Sequence, residues 1–202
     1  MGTNSAPFLA NIYLHAFEYC YLDKLIKDGK TEIAKLLSNT YRYQDDCIAI
    51  NDNDTFRKHY KLMYSGSAME LKNTNLSRDK CNFLDLTISI YKGKFIYRSY
   101  DKRNDFDFKV VNYPNLAGNI PSSQSYGVFI SQLLRFCNVN SSFKNFVSDV
   151  QHMVHTLCNQ NFQYDTLLSR FGRFSSKYLY TWAKYNKDIQ THKYVHTILG
   201  EI

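Results

Sequence analysis

Thr40-Tyr41-Arg42-Tyr43-Gln44-Asp45-Asp46-Cys47-Ile48-Ala49-Ile50-Asn51 carries the clearest structural pattern in this chain. β-Branched and aromatic residues flank a polar centre, the pattern of two short strands joined by a tight turn. The stretch therefore predicts a β-hairpin with Gln44-Asp45-Asp46 at or near its tip. Before it, Ser5 is placed to cap a helix whose early Pro7 costs no needed N–H. Leu9, Ile12, Tyr13, Ala16, Phe17, Cys20 and Tyr21 recur every three to four residues and predict one buried face that runs to about Lys27. A short helix over Thr31–Leu37 follows. After the hairpin, Asp52 or Asn53 is placed to cap a helix through Tyr64, with Arg57, Lys58 and Lys61 on its solvated side.

From Glu70 the apolar period changes to two. Leu84, Leu86, Ile88 and Ile90 alternate with Asp85, Thr87 and Ser89, Lys92-Gly93 turns the chain, and Phe95, Tyr97 and Ser99 line a return strand ending at Tyr100. Residues 101–122 read as irregular and hold Pro114 and Pro121. Beyond Ser123 the periodicity is helical over 123–137, 142–159, 164–185 and 188–199. The expected fold class is α+β. A helix and antiparallel hairpins occupy residues 1–100, an irregular connection residues 101–122, and an all-helical region residues 123–202.

Composition narrows the function classes. The 202 residues are 44% hydrophobic and 21% charged, too apolar for general disorder and ample for a core. No stretch approaches 18 uncharged apolar residues, so no membrane span and no membrane partner are expected. Cys20, Cys47, Cys81, Cys137 and Cys158 are odd in number and scattered, which predicts reduced thiols in an intracellular protein of the nucleus or cytoplasm. Charge is uneven: residues 1–52 carry a net of −2 and residues 53–202 a net of +9. A basic back portion suits a polyanion partner.

Two adjacent carboxylates at a hairpin tip, held by apolar strands, suit a hard divalent cation. Mg²⁺ takes oxygen ligands from one or two carboxylates and leaves its other positions to water and phosphate oxygens. In two-metal phosphoryl transfer such ions stabilise the attacking and leaving oxygens of an in-line displacement.

The order of blocks then points to a family. Met1-Gly2-Thr3-Asn4-Ser5-Ala6-Pro7, followed by Leu9-Ala10-Asn11-Ile12-Tyr13-Leu14 and Glu18, resembles the glycine turn and palm helix of reverse transcriptases. Tyr43-Gln44-Asp45-Asp46 resembles the Y-x-D-D block that follows it there. Asn82-Phe83-Leu84-Asp85-Leu86 is similar to the segment after the palm in Penelope-like retroelement polymerases. The runs Tyr100-Asp101-Lys102-Arg103, Asn112-Tyr113-Pro114, Ser125-Tyr126-Gly127 and Gln132-Leu133-Leu134-Arg135-Phe136 are similar to what those proteins carry next. The resemblance covers nearly the whole chain.

The resemblance implies a fold and a chemistry: a partial polymerase palm followed by a helical thumb, acting as an RNA-directed DNA polymerase. The partners would be an RNA template, a DNA primer and a dNTP, with Mg²⁺ or Mn²⁺ as cofactor. Asp45 would be a catalytic metal ligand and Asp46 a weaker or outer partner. Tyr43 and Gln44 would lie on the nucleotide and template side with Gly2 and Ser5. Phe83 and Leu84 would contact the primer, and Lys80 is the candidate acid near the leaving pyrophosphate. Reverse transcriptases carry a further catalytic aspartate upstream of the glycine block. No position here matches it, so the chain alone is expected to be inactive. The alternative reading is a non-catalytic nucleic-acid-binding remnant, and a plain helical interaction domain is a third.

Other candidates carry less. His152, His155 and Cys158 fall at i, i+3 and i+6 and offer soft ligands without a fourth, so packing on a half-buried stripe is the expectation. His192 and His196 lack the intervening glutamate of a zincin. The Ser122-Ser123, Ser141-Ser142 and Ser175-Ser176 pairs read as helix starts or breaks. Tyr178 and Trp182 fall at i, i+4 in the last long helix.

Overall fold

A computed structural model describes residues 5–50, 54–67, 70–108 and 110–185. The fold is mixed α+β with two small antiparallel sheets. The chain forms two compact units, Met1–Thr74 and Asn75–Ile202.

In the first unit, α1 (Ala6–Lys27) is followed by α2 (Thr31–Leu37), β1 (Thr40–Tyr43), β2 (Asp46–Ala49) and α3 (Thr55–Met63). Ser5 precedes α1 and accepts the Leu9 N–H through its carbonyl at 3.0 Å, not through a side-chain cap. The helix ends because Gly29 takes a φ of 76°, open to a residue without Cβ. The Gly29 N–H then reaches the Ile26 carbonyl and the Lys30 N–H the Leu25 carbonyl, a paired C-terminal closure.

The apolar face expected on α1 is corrected. Leu14 and Leu25 are buried, and Phe17, Tyr21 and Leu22 pack beside them against Ala34, Leu37, Met63 and Tyr64. Leu9, Ile12, Tyr13, Ala16 and Cys20 are exposed. The reason is that apolar residues surround α1 rather than form one stripe, and α2 and α3 cover only one side of it. The expected cap of α3 also moves: Asp54 holds the capping position, with φ 63°. Asp52 and Asn53 lie outside the described residues.

In the second unit, β3 (Lys80–Phe83), β4 (Leu86–Tyr91) and β5 (Lys94–Ser99) form an antiparallel sheet in the order β3-β4-β5. Leu84 and Asp85, expected in the alternating strand, are instead the two-residue turn between β3 and β4, because Phe83 pairs with Leu86. The 101–122 connection holds a 3₁₀ turn over Lys102–Asp105, capped by Asp101 accepting from the Arg103 N–H. It is tied down by Tyr113 and Leu116, which pack on the helical core.

The helices are α4 (Ser122–Val139), α5 (Phe143–Cys158), α6 (Tyr164–Lys177) and α7 (Leu179–Trp182). Phe129, Leu133, Phe146, Val150, Leu157, Leu167 and Phe171 form their fully buried core. Ser142 caps α5 by accepting from the Asn145 N–H at 3.2 Å, as its sequence position predicts. Ser175 and Ser176 do not break α6, and both hydroxyls donate back to the Gly172 carbonyl. The break falls at Tyr178, so the expected 164–185 helix is two helices, and Tyr178 and Trp182 do not share one. The 188–199 helix and the His192–His196 pair lie outside the described residues.

The free edge of β5 is covered by the α4–α5 connection. The Ser141 N–H donates to the Tyr97 carbonyl, the Tyr97 N–H to the Ser141 hydroxyl, and the Ser99 N–H to the Asn140 side chain. That pairing removes the template an unpaired strand edge presents. The carbonyls ending α4 are closed from afar: Lys184 Nζ donates to those of Cys137 and Asn140, and the Tyr185 hydroxyl to that of Asn140 at 2.9 Å.

Candidate functional site

The hairpin forms where the sequence places it. Thr40 pairs with Ala49, Tyr41 with Ile48, Arg42 with Cys47 and Tyr43 with Asp46, leaving Gln44-Asp45 as a two-residue turn. Two-residue turns need left-handed backbone to match strand twist, and Gln44 supplies it with φ 52°. A non-glycine residue there costs about 1–2 kcal/mol and is a recurrent mark of functional turns. Leu84, at the corresponding place in the β3–β4 turn, has the same φ of 52°.

Asp45 and Asp46 stand exposed at the tip, with Tyr43 57% exposed beside them. Among the described residues no group of three or more His, Cys, Asp or Glu side chains gathers to hold a metal. The acidic side chains at the tip are Asp45 and Asp46, neighbours in the chain. Two carboxylates are fewer than a full two-metal set requires.

The tip is anchored from below. Arg42, on the strand leading into the turn, has a side chain only 12% exposed. Its Nε donates to Glu18 Oε1 at 2.6 Å and its Nη2 to Glu18 Oε2 at 3.5 Å. Nη1 donates to Asn11 Oδ1 at 2.8 Å and to the Gln44 carbonyl at 3.4 Å, and Nη2 also reaches the Asn11 carbonyl at 3.3 Å. From the end of α3, the Tyr64 hydroxyl donates to Glu18 Oε1 at 2.8 Å. Burial works against the Arg42 charge, but the hydrogen bond and charge of Glu18 outweigh it and raise its pKa. Burial, then the hydrogen bond to Glu18, holds the Tyr64 phenol well above its ordinary range. Burial also pushes the Cys47 thiol up to about 11, with the Glu18 charge adding to it. A shallow depression lined by Phe8, Asn11, Ile12, His15 and Arg42 opens beside this anchor.

Arg42, Asn11 and Tyr64 are site residues beyond those expected from the sequence. A signal was present: Arg42 alternates with Tyr41 and Tyr43 in an apolar strand, where a charge needs a partner. Asn11 and Glu18 lie seven residues apart, two turns along one helix face.

The remaining expected site residues fall elsewhere. Gly2 lies outside the described residues, and Ser5 is exposed at the start of α1. Lys80 is exposed at the first position of β3, Phe83 is half-buried at its last, and Leu84 is 41% exposed in the following turn. These three belong to the Asn75–Ile202 unit, and the Asp45–Asp46 tip to the Met1–Thr74 unit. His152 and His155 are exposed on α5, not half-buried as expected, and among the described residues they join no metal-ligating group. The reason is that α5 buries Val150, Met153, Val154 and Leu157, which turns His152 and His155 outward. All five cysteines are free thiols. No described helix is long and apolar enough to cross a membrane. No protein-family model, curated protein or solved structure matches the chain.

Proposed function

We propose that this chain is part of an RNA-directed DNA polymerase of a retroelement, transferring a nucleotidyl group from a dNTP to a primer 3′-hydroxyl on an RNA template. What supports the reading is the hairpin tip: two adjacent exposed carboxylates on a tight turn, anchored by a half-buried ion pair. Mg²⁺ or Mn²⁺, when bound, supplies charge neutralisation at the reacting phosphate. In this reading Asp45 is the principal ligand and Asp46 the weaker one. Tyr43 and Gln44 face the nucleotide, and Ser5 flanks the template side. By the resemblance, Phe83 and Leu84 would be primer contacts and Lys80 an acid candidate; all three belong to the Asn75–Ile202 unit and carry no part of the argument from the tip. Because only two carboxylates stand at the tip among the described residues, the chain alone is expected to bind cation and primer–template without extending the primer.

A second reading, nucleic-acid binding without catalysis, draws on the net charge of +9 over residues 53–202. One experiment separates the two. Wild type and Asp45→Asn are compared for Mn²⁺ binding, for primer–template binding across salt, and for extension with Mg²⁺. The polymerase reading expects Mn²⁺ binding that Asp45→Asn abolishes, with primer–template affinity falling steeply as salt rises. Mn²⁺ binding indifferent to Asp45 leaves only the second reading. Absence of primer–template binding at about 50 mM salt refutes both. Extension by the wild type alone would overturn the expectation that this chain by itself does not extend a primer.

A further inference from the structure

Arg42 is tied to both the helix and the turn. A guanidinium has five N–H donors in a fixed plane. Here they serve five contacts: two to the Glu18 carboxylate, two to Asn11 and one to the Gln44 carbonyl. The last is the carbonyl of the peptide joining Gln44 to Asp45, within the turn itself. Glu18 is held in turn by the Tyr64 hydroxyl. Two turns of α1 and the end of α3 are thereby linked through one side chain to the backbone that carries the paired carboxylates. Left-handed backbone at a non-glycine residue persists only where its surroundings over-determine it, and Gln44 at φ 52° is such a residue. The β1–β2 ladder fixes the strands, and Arg42 Nη1 reaches the tip peptide at 3.4 Å.

We infer that Arg42, oriented by Glu18 and Asn11, is a positioning residue that sets the geometry of the Gln44–Asp46 turn and so the placement of the Asp45 and Asp46 carboxylates. The inference rests on the cation-binding role proposed above for that pair. Lysine does not substitute: its ammonium is a single point, unable to span Glu18, Asn11 and Gln44 in one plane.

The test uses Arg42→Lys, which keeps the charge, and Asn11→Ala, which keeps the Glu18–Arg42 ion pair and the fold if Arg42→Lys proves poorly folded. Amide exchange at Gln44, Asp45 and Asp46 is read by NMR, and Mn²⁺ affinity by paramagnetic relaxation, each beside a melting curve. The expected result is faster exchange at the tip amides in both variants. Mn²⁺ affinity should fall about 10-fold in Arg42→Lys, with a smaller loss of the same sign in Asn11→Ala. Tip exchange and Mn²⁺ affinity unchanged while only the melting temperature drops would make Arg42 a stability residue and overturn the inference. Wild-type Mn²⁺ binding that ignores Asp45→Asn would instead overturn the polymerase reading. The tip amides then decide Arg42 alone, loosening upholding its positioning role and unchanged exchange refuting it.

Discussion

Asn140→Ala is the perturbation whose cost the structure defines most closely. Asn140 is fully buried at the end of α4. Its Nδ2 donates to the Phe136 carbonyl at 3.1 Å and to Asp149 Oδ2 at 2.8 Å, and its Oδ1 accepts the Ser99 N–H at 3.3 Å. The Phe136 carbonyl keeps the Asn140 backbone N–H at 3.0 Å, so its loss is small. The Ser99 N–H and the Asp149 carboxylate are each left short of a partner, and an orphaned group costs about 1–3 kcal/mol. Allowing for partial solvation of Asp149, the variant should lose about 3 kcal/mol.

The pH dependence of that loss has a definite sign. Burial raises the Asp149 pKa, while Asn140, and the charges of Arg98 and His152, pull it down. A carboxyl raised on folding contributes stability that is present below the ordinary carboxylate range and lost as pH climbs through its folded value. Removing Asn140 raises it further, so the deficit should be smaller near about pH 4 than near about pH 7. In an Asp149→Asn background the carboxylate is absent and Asn140→Ala should cost only about 1 kcal/mol. Urea unfolding followed by circular dichroism on all four proteins measures the cycle. A single-variant loss under about 1 kcal/mol, or additivity within about 0.5 kcal/mol, would refute the claim that Asn140 joins sheet edge and helices through Asp149.

Three further outcomes follow from the geometry. Phe171→Ala, at a fully buried site in the helical core, should cost about 3–5 kcal/mol in denaturant unfolding, and a loss under about 1.5 kcal/mol would mean the site collapses around the gap. Gln44→Gly should leave stability level or raise it by about 1 kcal/mol, while Gln44→Val should lower it by at least as much; the reverse order in thermal melts would contradict the left-handed turn. Cys47, pushed up to about 11, should react with iodoacetamide near neutral pH on the order of 100-fold more slowly than an ordinary thiol, as read by peptide mass spectrometry. Rapid labelling of Cys47 in the folded protein would show that its thiol is not buried as described.

Local patterns in the sequence determined the elements. The Tyr43-Gln44-Asp45-Asp46 tip, the Lys92-Gly93 turn, the end of α1 near Lys27 and the Ser142 cap all fall where short-range stereochemistry places them, because a turn or cap depends on a few adjacent residues. The Asp45–Asp46 pair was legible for the same reason, its two carboxylates being neighbours in the chain. Which faces are covered was decided only by the tertiary structure. Leu9, Ile12 and Tyr13 keep the helical spacing of a buried stripe and yet are exposed, since burial depends on what packs opposite and α1 is apolar on nearly every side. Leu84 and Asp85 fit an alternating strand, but the register of β3 on β4 makes them a turn, and register is a property of two strands together. The Arg42–Glu18–Asn11–Tyr64 anchor and the Asn140 junction join residues far apart in the chain. Local pattern says that a charge such as Arg42 needs a partner but not which one; the pairings exist only once separate elements have packed and their polar groups must find partners away from water.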